Sequence, residues 1–254
     1  MFKLSSVVLI LTGITHYSNL AQAADSSAQP VAKTLPAALI ETEKLYSKAG
    51  TLSARFTQLN FLASLPPIPQ EFHESQKKMR NENKAKFAST STLTGTLHYR
   101  FPNHFRWEIE KPTPSVTVSD GKKLWIYVES KKGVYGGEYQ EKSAADLNDE
   151  EAHANNAIMR GAFSALSSVK VTEATATHFI LTPSPRPEAT IQLYEVDIDP
   201  KSHHIERVKI VNKNGNHATF EFSEIRLGHS IDDKQFTFTR PQSMTLLRRT
   251  VLDF

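Results

Sequence analysis

Ten histidines, a run of acids and a scatter of serines are the residues of this 254-residue chain best able to do chemistry. They do not form a working set. His203-His204 stand beside Asp199 and Lys201 in a turn-like segment, and the other histidines are scattered, matching no zinc-ligand spacing. Asp146, Asp149, Glu150 and Glu151 precede the only helix-like stretch in the middle of the chain. Acids there suit the positive end of a helix dipole better than a carboxylate dyad. Ser89 to Thr94 carry no G-x-S-x-G elbow, and Gly133, Gly136 and Gly137 fall at a hairpin end rather than in a phosphate loop. The chain has no cysteine, which removes thiolate zinc sites, Cys nucleophiles and disulfides. We therefore expect a protein that is not an enzyme, with no cofactor and no metal site. A net charge of +3 without a basic helix is too small to argue for nucleic acid.

The chemistry that remains is apolar. FPNHFRWEIEKPTPSVTVSDGKKLWIY, residues 101–127, sets aromatic rings at alternate positions, with Arg, Glu and Lys between them. Leu97, Tyr99 and Phe101 share one face of a strand, as do Phe105, Trp107 and Ile109. Leu124 and Ile126 oppose Trp125 and Tyr127, and the pattern leaves open which pair points inward. Leu52 and Phe56 join the same apolar set from an earlier strand.

The elements that position these residues follow from periodicity. Residues 1–23 resemble a secretory signal peptide: Lys3, an apolar run from Leu4 to about Ile14, and Ala21-Gln22-Ala23 before a small residue. The apolar run is shorter than the roughly 20 residues that a membrane span needs. Residues 24–33 read as a flexible segment, and 34–254 as one domain. Thr34 can cap a helix with Pro36 in its first turn and Gly50 at its end. Leu35, Leu39, Thr42 and Tyr46 then form one apolar stripe. A strand follows, and next an exposed, Pro-rich and charged insertion over 62–91, partly helical from Glu71 to Lys86. From Leu93 the period is two almost throughout, with Asp120-Gly121 and Asn214-Gly215 as hairpin turns. Residues 144–168 form the one helical interruption, weakened at Gly161. Phe236 and Phe238 begin a last short strand. The sum is a mainly β fold, an antiparallel unclosed β-barrel of about eleven strands with a helix at its N-terminus.

The strings Gly95-Thr96-Leu97, Phe101-Pro102-Asn103-His104-Phe105-Arg106-Trp107, Pro112 and Ser119-Asp120-Gly121-Lys122-Lys123-Leu124-Trp125-Ile126-Tyr127 carry a likeness. So do Ala54-Arg55-Phe56-Thr57-Gln58 upstream and Phe236-Thr237-Phe238-Thr239-Arg240-Pro241 downstream. Together they resemble the periplasmic outer-membrane lipoprotein carrier family LolA. The resemblance implies a central helical lid over a hydrophobic cavity that takes the acyl chains of lipoproteins. It also implies a soluble, monomeric chaperone in the periplasm of a Gram-negative bacterium. Such a carrier receives cargo from an inner-membrane ABC transporter and gives it to an outer-membrane lipoprotein receptor. That receptor has the same fold with a lipid-bearing Cys, which this chain lacks. In this family an Arg before the strand-two Pro helps hold the lid shut. Here Phe101 takes its place, and Arg100, one residue earlier, is a possible latch only if a bulge re-aims it. Alternatives are a lipid- or lipoprotein-sensing module of the same fold, a carrier of another lipid, and, more weakly, an esterase.

Each buried methylene contributes about 0.8 kcal/mol, so three acyl chains that realised all of it would never be released. The cavity should fit loosely, with Ile158, Met159, Phe163 and Leu166 of the lid occupying it when cargo is absent.

Overall fold

The computed structural model describes residues 35–63, 89–128, 136–143, 150–166, 169–184, 189–239 and 244–246. Helix α1 spans Ala37–Ala49 and ends at Gly50, whose φ of 70° closes the last turn through a bond from its N–H to the Tyr46 carbonyl. Pro36 is the N-cap rather than a first-turn residue, and Thr34 lies outside the described residues. The buried stripe is Leu39, Thr42 and Tyr46, spaced at helical intervals as the sequence requires.

Strands run in chain order as β1 (Thr51–Leu62), β2 (Ser89–Arg100), β3 (His104–Lys111), β4 (Ser115–Asp120), β5 (Lys123–Val128) and β6 (Gly136–Ser143). After helix α2 (Glu150–Met159) and a 3-10 turn at Phe163–Ala165 come β7 (Val169–Ala174), β8 (His178–Pro183), β9 (Ile191–Ile198), β10 (Ile205–Asn212) and β11 (His217–Leu227). A 3-10 turn at Asp233–Phe236 precedes β12, Met244–Leu246. All twelve belong to one sheet, ordered β12-β6-β5-β4-β3-β2-β1-β11-β10-β9-β8-β7. Every neighbouring pair is antiparallel except β12 with β6. Among the described residues no pairing joins β7 to β12, so the sheet is unclosed.

Two expectations change. Phe236 and Phe238 do not form a strand. Asp232 accepts a hydrogen bond from the Lys234 N–H, which tightens the chain into a 3-10 turn and sinks Phe236 onto the sheet. The strands that complete the sheet are β6 and β12 instead. The insertion is also shorter than 62–91, because Leu62 still pairs with Ser89. Its centre, including Glu71 to Lys86, lies outside the described residues.

Opposed residues of an antiparallel pair share a face, so the register assembles rows across the sheet. One row is Leu52, Tyr99, Phe105, Ser119 and Leu124; the next is Ala54, Leu97, Trp107, Thr117 and Ile126. On the other side of β1 the same face continues through Phe220, Val208, Val196 and Phe179. The face carrying these rows packs against α1 and α2 in one core.

Candidate functional site

The site is the apolar face beneath α2. Leu52, Phe56, Leu97, Tyr99, Trp107 and Ile109 are buried in a single cluster with Ile158, Met159, Phe163 and Leu166, and Phe101 and Phe105 pack against it half-buried. Aromatic pairing organises this floor. Phe56 and Trp107 lie 4.4 Å apart, Trp107 meets Phe220 edge-on at 5.4 Å, and Tyr99 sits 5.5 Å from Phe105. Gly95 makes the first pair possible, since a Cβ there would come within 2.9 Å of Phe56 Cζ and 1.9 Å of the Glu108 carbonyl oxygen.

Leu124 and Ile126 are buried and belong to the inward rows, which resolves the orientation of β5. They stand outside the cluster because β4 reverses its pattern. Ser115, Thr117 and Ser119 face inward, while Val116 and Val118 face the opposite, convex side.

Among the described residues, one space beneath α2 is a cavity of about 10 Å³, bounded by Tyr46, Leu52, Leu97, Met159, Ile205 and Phe222 among others. That is room for about one water molecule. The segment from α2 to the following 3-10 turn crowds this space. Ile158 and Phe163 are fully enclosed, and Met159 and Leu166 are 3% exposed, so their side chains fill the space.

The lid is fastened at its rim by three kinds of contact. Arg160 Nη1–H donates to the Pro102 carbonyl at 3.1 Å, on the turn between β2 and β3. The Ser164 N–H donates to Glu43 of α1 at 2.9 Å, and the Ser164 hydroxyl donates to the other oxygen of the same carboxylate. Between them Gly161, with φ 69°, lies against the Tyr46 ring so closely that a Cβ would meet Cγ at 3.1 Å. Tyr46 is also held from the far side, accepting a hydrogen bond from the Ile205 N–H at 3.0 Å. Burial pushes its phenol up to about 12, with that bond opposing. Burial likewise pushes Tyr99 well above the ordinary phenol range, and the Arg160 charge pulls it back in part.

Arg100 is not a lid latch. As the parity of β2 requires, it points to the convex side, pairs with Asp233 and lies 4.6 Å over the Phe236 ring. The polar fastening runs the other way, from an Arg on the lid to a carbonyl on the turn. Sequence reasoning missed Arg160 and Glu43 because no local pattern marks a contact between residues this far apart in the chain. Gln58 and Asn60 were findable, since they continue the inward parity of Leu52, Ala54 and Phe56 and are buried. His203 and His204 lie in the turn between β9 and β10, organised by Asp199, which accepts from the N–H groups of Lys201 and Ser202. Glu150 and Glu151 open α2, while Asp146 and Asp149 lie outside the described residues. No helix among the described residues is long and apolar enough to cross a membrane.

Comparison with known proteins identifies the family. The family model "Outer membrane lipoprotein carrier protein LolA" matches residues 75–239. A Pseudomonas aeruginosa outer-membrane lipoprotein carrier protein is 21% identical over 80% of this chain and 84% of its own length. The protein of that name from Vibrio parahaemolyticus is 27% identical over 59% of this chain and 67% of its own. Among solved structures, an uncharacterized conserved protein from Thermus thermophilus covers 81% of this chain and 94% of its own, at 10% identity and a TM-score of 0.44. A LolA superfamily protein from Nitrosomonas europaea covers 79% and 96%, at 11% identity and a TM-score of 0.39. With the family model matched over more than half of its length, the chain belongs to the LolA family of outer-membrane lipoprotein carrier proteins.

Proposed function

We propose that this protein carries lipoproteins by exchanging the lid's apolar side chains for the acyl chains of its cargo. The observation behind the reading is the lid itself. Ile158, Met159, Phe163 and Leu166 are buried in the barrel, yet the described polar contacts of this segment are a few hydrogen bonds at its rim. Such a plug can be withdrawn without breaking a strand ladder. The names of the relatives supply the cargo class.

The physical virtue of the arrangement is that binding becomes a difference. Cargo tails gain about 0.8 kcal/mol per buried methylene, and the displaced lid loses a comparable term for each methylene it exposes. The net affinity then stays within a range from which release is possible. Met159 suits the exchange, because its flexible thioether can repack against changing neighbours. The same reading assigns residues 1–23 as a cleaved leader and a monomer working in the periplasm of a Gram-negative cell. Its donor would be an inner-membrane ABC transporter and its acceptor an outer-membrane receptor. The cavity-lining set would be Leu52, Phe56, Leu97, Tyr99, Phe101, Phe105, Trp107 and Ile109, with Leu124 and Ile126 reached when the chains extend past β4. The test is a native mass spectrum of the protein purified from cells that make triacylated lipoproteins. Co-purified lipoprotein is the expected result; protein free of any lipid under conditions that load a known carrier would overturn the reading.

A further inference from the structure

Two polar atoms on the inward face have no hydrogen-bond partner among the described residues, although both are deeply buried. Trp107 is 2% exposed and its Nε1–H meets no acceptor. Gln58 is 1% exposed; its Nε2–H donates to Asn60 Oδ1 at 2.7 Å, and Asn60 Nδ2–H donates to Ser91 Oγ at 3.3 Å. In this orientation of the two amides Oε1 is the atom left over. The two side chains stand around the same rings. Trp107 packs on Phe56 and against the edge of Phe220. Gln58 follows Phe56 by two residues on the same face and is the register partner of Phe220. An unpaired donor and an unpaired acceptor in a dry core each carry the full cost of lost hydration. Leu at 58 would fill similar space without it, and Phe at 107 would fill part of it.

We propose that Trp107 and Gln58 form a polar subsite for the amide head of a long-chain N-acyl group. The Trp107 N–H donates to the carbonyl oxygen, and Gln58 Oε1 accepts from the amide N–H, while the tail lies along the aromatic floor. This rests on the reading that the interior admits acyl chains once the lid has withdrawn. An ester head offers the carbonyl but no N–H, so it would engage Trp107 alone, and a hydrocarbon would engage neither.

The experiment is displacement of a fluorescent apolar dye from the full chain by N-methyldodecanamide, methyl dodecanoate and tetradecane, in the wild type, Gln58→Leu and Trp107→Phe. One hydrogen bond corresponds to about a five- to tenfold change in affinity. Gln58→Leu should weaken the amide by that factor and spare the ester and the hydrocarbon. Trp107→Phe should weaken both amide and ester and spare the hydrocarbon. Both variants should melt below the wild type, because Gln58→Leu strands Asn60 Oδ1 and Trp107→Phe leaves space beside Phe56, so the ranking of the three ligands is the deciding readout. If the wild type binds all three ligands and neither variant changes their ranking, the subsite is wrong while the acyl-chain reading stands. If the wild type binds none of the three, both fall.

Discussion

The two faces of the sheet are each covered by a short segment, and the covers are built differently. On the inward face α2 and the turn after it insert Ile158, Met159, Phe163 and Leu166. On the convex face the segment after β11 lays Phe236 against the His104 ring, with Phe238 beside Tyr127. The convex cover is locked by charge and stacking together, since Arg100 both pairs with Asp233 and lies over Phe236. It is further tied where the Thr51 hydroxyl donates to the His229 carbonyl at 2.8 Å and the Gly228 N–H donates to the Thr51 carbonyl at 3.1 Å. Ser53 Oγ adds a contact of 3.0 Å to His229 Nε2, beside His98, whose imidazole burial holds below its ordinary value. Among the described residues the lid makes no ion pair: Arg160 donates to one carbonyl, and Ser164 donates twice to the Glu43 carboxylate at a solvated rim. On the proposed function, equal burial does not mean equal permanence. What separates a plug from a core is how its rim is fastened.

Truncating the aromatic anchor of each cover should separate the two most strongly. Phe236→Ala should cost about 3–5 kcal/mol in urea unfolding, the range for a fully buried Phe, and leave dye uptake by the interior unchanged. Phe163→Ala should cost less, because the lid can release into water, and it should raise dye uptake. Equal stability losses with no change in uptake would make the lid an ordinary piece of core.

Gly161→Ala comes next. A φ of 69° and a Cβ at 3.1 Å from the Tyr46 ring both oppose a side chain there. About 1–2 kcal/mol of strain is expected, and it should appear mainly as lid opening, read as faster amide exchange in α2 and increased dye uptake.

Glu43→Gln and Arg160→Gln should each cost below about 1 kcal/mol, since both contacts lie at a solvated rim. Both should still shift dye uptake in the same direction as Gly161→Ala. The smallest effect is expected at Asp233. Its hydrogen bond to Arg100 and the attraction of that charge hold its carboxyl below the ordinary 3.8. A depressed folded value means that the stabilisation is present above 3.8 and fades as pH falls through the folded value. An acid titration of stability should lose that component in Asp233→Asn, with the inward site unaffected.

Much of the fold is legible in the sequence because period-two alternation and Asp-Gly or Asn-Gly turns specify hairpins locally. The α1 stripe is legible for the same reason, with Tyr46 buried where helical spacing puts it. Strand β6 is not, since GGEYQEKS lacks an apolar alternation and is held by its pairing with β5. The inward orientation of Leu124 and Ile126 needs the register of three strands, which no single strand contains. The floor of the site shows in the aromatic spacing of β2 and β3, whereas its fasteners depend on contacts such as Arg160 with Pro102 that only the folded chain creates.

The account turns on whether the lid leaves the barrel when acyl chains enter. The chain has no native cysteine, so two introduced ones can be labelled cleanly. Spin labels at Ala165, exposed on the turn after α2, and Glu206, exposed on β10, report the separation of lid and sheet. Addition of a tripalmitoylated lipopeptide should lengthen that distance in proportion to the bound fraction. A distance distribution identical with and without bound lipopeptide would contradict the account.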